Sequence, residues 1–169
     1  MQTWTLYNGA MQTTAAPVGL GGSGPKTMLQ IAALQPLSII EWGCSFNGSA
    51  AATPVTAELI ETDVSGTVSA FALTDITITN NPGNALSFLG TMAVSGASTG
   101  YNASVEGSPA AVRNLDAPKY VPPSTLYEKQ FPLGQRPLIQ PNKYARIRFT
   151  GLPAGVSGFC YVVVGPGPD

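Results

Sequence analysis

Alternation of apolar and polar residues is the strongest signal along the chain. In SIIEWGCSF (38–46), Ile40, Trp42, Cys44 and Phe46 fall on one face and Ile39, Glu41, Gly43 and Ser45 on the other. Successive strand side chains point to opposite faces, so this pattern predicts a half-buried strand. PVTAELIET (54–62) sets Val55, Ala57 and Leu59 against Thr56 and Glu58, and NGSAAAT (47–53) between the two predicts the turn of a hairpin. DITITN (75–80) points Ile76 and Ile78 inward. YARIRFT (144–150) points Ala145, Ile147 and Phe149 inward and Tyr144, Arg146 and Arg148 outward. GFCYVVVG (158–165) is apolar on both faces, which predicts a central strand or one buried in a subunit contact. Weaker strands are expected at TWTLY (3–7), TVSAFAL (67–73), TGYNASVEG (99–107) and LYEKQFP (126–132).

One short helix is a candidate, KTMLQIAAL (26–34), stopped by Pro36, and Ser108-Pro109 has the form of a helical N-terminus. Residues 109–125, rich in Pro and Ala, are expected to be irregular. Short strands punctuated by 19 Gly and 15 Pro predict an all-β fold, a jelly-roll-like β-sandwich with little or no helix. The expected division is a flexible N-terminal arm with a Gly-rich loop (1–27) and a sandwich domain (28–169).

Charged residues are only 10% of the chain, so much of the surface is expected to be neutral. Their distribution is uneven. Residues 1–112 carry one base, Lys26, against Glu41, Glu58, Glu61, Asp63, Asp75 and Glu106. Residues 113–169 carry seven bases against Asp116, Glu128 and Asp169. Such a split can steer head-to-tail contact between copies, or can simply be solvated. It is too sparse for a nucleic-acid surface. The N-terminus lacks the basic and apolar regions of a signal peptide, and no stretch approaches a membrane span.

The chain has no histidine, which removes Ser-His-Asp and Cys-His systems and most zinc sites. Glu58 and Glu61 should face opposite sides of a strand, while Glu61 and Asp63 share a face and read as solvated turn residues. GLGGSGPKT (19–27) matches G-x-G-x-x-G at Gly19, Gly21 and Gly24. It lacks the preceding apolar strand and the following long helix, and Pro25 removes a backbone donor. A structural loop is the expectation, with no nucleotide, cofactor or metal. Cys44 and Cys160 lie in apolar segments and read as buried thiols, with a disulfide left open. Two N-x-S sequons, at Asn47 and Asn102, matter only in a secreted chain.

Several segments together, KTMLQIA, IIEWGCSFNGSAAATP, VTAELIETD, STGYNASVEG, YEKQFPLGQRPLIQPNKYARIRF and GFCYVVV, resemble small head accessory proteins of tailed bacteriophages, mainly of the actinobacterial phage type. The resemblance runs from Lys26 to Val164 and is weakest over 108–124. It implies a decoration protein made in the host cytoplasm, a β-sandwich bound to the major capsid protein on the virion exterior, often as a homotrimer. A trimeric head domain of a tail fibre or receptor-binding protein is the alternative. The expected contact residues are Trp4, Gly21, Lys26, Arg136, Arg146 and Arg148. No enzymatic activity, nucleic acid or membrane partner is expected.

Overall fold

The computed structural model describes residues 3–9, 18–19, 24–49, 51–72, 77–78, 94–95, 97–110, 112–151 and 153–167. Among these the chain forms strands only. In chain order they are β1 (Trp4–Tyr7), β2 (Val18–Gly19), β3 (Lys26–Ala32), β4 (Leu37–Phe46), β5 (Val55–Thr62), β6 (Thr67–Ala70) and β7 (Thr77–Ile78). Then come β8 (Gly100–Val105), β9 (Val112–Asn114), β10 (Lys119–Val121), β11 (Leu126–Gln130), β12 (Leu138–Ile139), β13 (Tyr144–Thr150) and β14 (Ser157–Pro166).

They make two sheets. The first, sheet A, runs β11-β4-β14-β1-β7, with β12 also on β4 and β2 also on β14. The second, sheet B, runs β10-β5-β13-β3-β8-β6, with β9 also on β5. The expected all-β, two-sheet architecture is therefore present. Alternation explains the core between the sheets. Sheet A supplies Trp4, Leu6, Trp42, Cys44, Phe46, Cys160, Val162 and Val164. Sheet B supplies Leu29, Ile31, Val55, Ala57, Leu59, Ala145, Ile147 and Phe149. Phe46 and Phe149 meet edge-on across the two layers, ring centroids 5.0 Å apart, a contact that stabilises by about 1 kcal/mol beyond its buried area.

Local pattern and structure part company in several places. KTMLQIAAL is not a helix: β3 lies between β13 and β8, and from Thr27 onward its residues are buried on both faces. A short, doubly buried apolar run has no periodicity to separate strand from helix. NGSAAAT does not close a hairpin, because β4 belongs to sheet A and β5 to sheet B, so the segment crosses between layers. Pairing of β14 with β4 skips Ile40, since Val163 faces Glu41 and Val164 faces Ile39. This bulge shifts the inward face by one residue. Leu37 and Ile39 thus join Trp42, Cys44 and Phe46 in the core, although Ile39 was expected on the polar side.

Segment 109–125 holds two three-residue strands, β9 and β10, and no helical turn occurs at Ser108-Pro109. Of DITITN, Thr77–Ile78 pairs with β1, and Ile76 lies outside the described residues. The expected arm includes β1, which is no arm. Trp4–Tyr7 is laddered between β14 and β7, and Leu6 is fully buried.

Candidate functional site

The five described residues of the expected contact set do not gather on one surface. Trp4 is 5% exposed and packs in the core of sheet A. Lys26 opens β3, and Arg136 follows the turn closed by Gln135 N–H donating to Pro132 O (3.0 Å); both are half-buried. Arg148 pairs with Glu58 on the neighbouring strand, Nε to Oε2 at 2.9 Å. Gly21 lies outside the described residues.

Arg146 departs furthest from its expected outward position. The outer face of sheet B carries a further covering made by the turn after β5 and the chain after β8. Beneath it Arg146 is 1% exposed. Its guanidinium donates to Val64 O (2.8 Å) and Glu106 O (3.0 Å) and lies 3.5 Å from the Glu106 carboxylate. Glu106 also accepts from the Thr27 N–H and, at 2.7 Å, from the Thr27 hydroxyl. Gln30, opposite Arg146 on β3, is fully buried and bonds Gly66 N–H and Ser98 O. These groups lock the covering to the sheet. Burial lowers the Arg146 pKa, with Glu106 opposing the shift.

Glu61 was expected to be a solvated turn residue and is instead 6% exposed. Arg113, its register partner on β9, grips it through Nε–Oε1 (3.1 Å) and Nη2–Oε2 (3.0 Å), and Gln140 N–H donates to Oε2 (2.8 Å). A shallow cleft of about 100 Å³ opens beside this pair, lined also by Thr62, Asp63, Val112 and Lys143. Both Glu61 oxygens are engaged, which suits a structural ion pair rather than a general base.

A third polar centre was not anticipated from the sequence. Asp116, in the loop after β9, is 8% exposed and accepts from Trp42 Nε1 (3.1 Å), Tyr127 OH (3.1 Å), Lys129 Nζ (2.5 Å) and Ala117 N–H (2.8 Å). A loop of sheet B is thereby tied to three side chains of sheet A. Burial opposes ionisation of Asp116, but these donors together outweigh it and hold the carboxyl below its ordinary value of 3.8. Nothing in the pattern around Asp116 distinguishes it from a turn aspartate. Its side-chain partners sit on two other strands, Trp42 on β4 and Tyr127 and Lys129 on β11, which meet it only once the sheets have packed.

The outer face of sheet A is open toward β11 and the start of β14, where Leu126 and Phe159 are exposed, and closed at β1, where Thr5 is 6% exposed. Strand register arranges its side chains in rows. Leu126, Ser45 and Phe159 form one. Glu128, Gly43, Tyr161 and Tyr7 form the next, and Gln130, Glu41, Val163 and Thr5 the third. Leu126 is 60% exposed and Phe159 37%. Tyr161 lies across Gly43, where a Cβ would come within 2.6 Å of its ring, so only glycine lets the ring lie flat there. Its centroid is 6.3 Å from that of Tyr7.

The Tyr161 hydroxyl sits 2.5 Å from Glu41 Oε1 and 3.2 Å from Glu128 Oε1. Burial and the two carboxylates raise its pKa, so it remains a donor at neutral pH. One hydroxyl hydrogen cannot serve two carboxylates at once. Neither glutamate has a Lys or Arg partner among the described ion pairs. The face therefore presents two acceptors beside two rings, an arrangement suited to an ammonium or guanidinium group.

Among the described residues no cluster of three potential metal ligands occurs, and no helix is long and apolar enough to cross a membrane. The glycine-rich stretch leads into β3 rather than a helix, so the described segment lacks the helix N-terminus on which a dinucleotide phosphate would rest. No protein-family model, curated protein or solved structure matches the chain.

Proposed function

We propose that the chain is a non-enzymatic structural protein of a phage virion, a decoration protein that binds the major capsid protein on the capsid exterior and docks through the outer face of sheet A. The observation that carries this reading is the Glu41–Tyr161–Glu128 group. It is an acidic pair with no Lys or Arg partner among the described ion pairs, held on the two longest strands, β4 and β14, and on β11. The carboxylates of the other polar clusters, Glu106, Glu61 and Asp116, each face an Arg or Lys within the chain. The resemblance of several segments to phage head accessory proteins supplies the biological setting, with assembly as a homotrimer.

The mechanism is linkage. A protein that binds only the assembled shell stabilises that shell, and repetition over many lattice positions multiplies a modest contact. The partner group on the capsid surface is a Lys or Arg side chain. Cosedimentation with undecorated capsids tests the proposal. Wild-type protein should pellet with capsids at micromolar concentration. Glu41→Gln/Glu128→Gln should weaken binding about tenfold or more, the loss of one charge-assisted contact. Failure of the wild-type protein to pellet overturns the reading. Equal binding by the double variant moves the contact to another face.

The rings on this face, Phe159 exposed and Tyr7 and Tyr161 half-buried, favour one second reading. Tyr7, Tyr161 and Phe159 beside two carboxylates also suit a sugar, and a fibre head domain would use them so. Binding to host-surface glycans without binding to capsids distinguishes it.

A further inference from the structure

Cys44 on β4 and Cys160 on β14 are the chain's two cysteines; they are direct partners in the antiparallel register, and both are free. Both side chains belong to the core, each 1% exposed. The hydrogen bonds of Cys160 fix the kind of pair they form. Its N–H donates to Asn8 Oδ1 (2.9 Å), and its carbonyl accepts from Asn8 N–H (3.1 Å). Both backbone groups of Cys160 thus point toward the β1 side and away from β4. Toward β4 the cysteines are a non-hydrogen-bonded pair, the class in which Cα atoms stand about 4.5 Å apart and side chains approach most closely. A disulfide spans Cα separations of about 4.4–6.8 Å, so the backbone needs no rearrangement to admit one.

We infer that Cys44 and Cys160 form an oxidative cross-linking site, which closes in the folded chain as a cross-strand disulfide stapling β4 to β14. The inference stands on register and backbone hydrogen bonding and does not depend on the function proposed above. With hydrogen peroxide as the oxidant, one thiolate attacks a peroxide oxygen, the O–O bond breaks, and a sulfenic acid and hydroxide form. The second thiolate attacks the sulfenic sulfur, the S–S bond forms, and hydroxide leaves. Each hydroxide takes up a proton released by a thiol. Two thiols and one peroxide give one disulfide and two waters.

The core makes the reaction slow and selective. Burial pushes the Cys44 thiol up to about 12 and raises that of Cys160 as well, so neither reacts until sheet A opens locally. Once a sulfenic acid forms, its partner thiol is the only one in the chain that can reach it. The staple would join the ends of a long loop, which constrains the unfolded chain strongly.

Intact mass and free-thiol titration of the full chain during exposure to hydrogen peroxide test the site. The expected product is a monomer lacking two hydrogens, formed far more slowly than an exposed thiol reacts. Its thermal midpoint should rise by on the order of 10 °C and return on reduction. Cys160→Ser should show oxygen addition at Cys44 instead of hydrogen loss. If that variant fails to fold, the wild-type product distribution decides alone. Oxygen-adducted or dimeric wild-type protein as the main product overturns the inference. So does retention of both thiols after a peroxide exposure longer than the core-amide exchange time.

Discussion

Four donors converge on the Asp116 carboxylate: the Trp42 indole, the Tyr127 hydroxyl, the Lys129 ammonium and the Ala117 N–H. A carboxylate can accept all four, whereas an amide presents one acceptor oxygen and two hydrogens that face existing donors. Asp116→Asn should therefore cost about 2–3 kcal/mol, a figure kept modest because the Lys129 side chain is 37% exposed. Denaturant unfolding at neutral pH measures it. The pH dependence carries the same signature. Folding holds the Asp116 pKa below its ordinary value, so its contribution is present above pH 3.8 and is lost as the pH falls through the lower folded value. The wild-type protein should lose stability more steeply below that pH than Asp116→Asn. Parallel curves for the two would show that the carboxylate is not the group that matters.

At the level of elements, the long strands were legible because one face of each packs on a core and the other does not. Val55, Ala57 and Leu59 on β5, and Ala145, Ile147 and Phe149 on β13, face inward as their alternation requires. What alternation cannot carry is the identity of the neighbour. The loop at 47–53 has the composition of a hairpin turn whether it returns to the same sheet or crosses to the other. The bulge at Ile40 leaves no local mark, because Ile39 and Ile40 are equally apolar. Arg146 illustrates the same limit for the candidate site. Polar alternation correctly placed it on the outer face of β13, but the covering over that face is set by tertiary packing. Arg146→Ala should leave Val64 O and Glu106 O without a donor and the Glu106 carboxylate without its cation. A loss of about 3–5 kcal/mol follows, and Arg146→Lys should recover only part of it, because an ammonium cannot reproduce the guanidinium fork. Thermal unfolding of the two variants checks the order. Equal stability of Arg146→Ala and wild type would mean that the covering holds without its central lock.

For the whole molecule the decisive contact joins the two ends of the chain. TWTLY at the start reads as a weak strand, yet the sequence alone sets it in an N-terminal arm that ends in the Gly-rich loop. Only pairing partners more than a hundred residues away reveal its role. β1 ladders onto β14 from Trp4↔Val164 to Tyr7↔Tyr161, and Asn8 extends the match by bonding Cys160 at both backbone groups and Gly158 O through its side chain (3.0 Å). Trp4 and Leu6 fill the core from this strand. Closing so long a loop is entropically costly and must await much of the sandwich, so β1 should dock late in folding. Removing residues 1–9 would expose the edge of β14, empty two core positions and strip both backbone groups of Cys160. The truncated chain should then lack the cooperative thermal transition of the full one. Leu6→Ala, which keeps the ladder and removes only packing, should retain that transition with a loss of about 2–5 kcal/mol. A truncated chain that unfolds at the wild-type midpoint would return β1 to the status of an arm. An unfolded truncation alongside a folded Leu6→Ala would instead make the paired termini the step that completes the sandwich, and with it the rigid platform under Glu41, Glu128 and Tyr161.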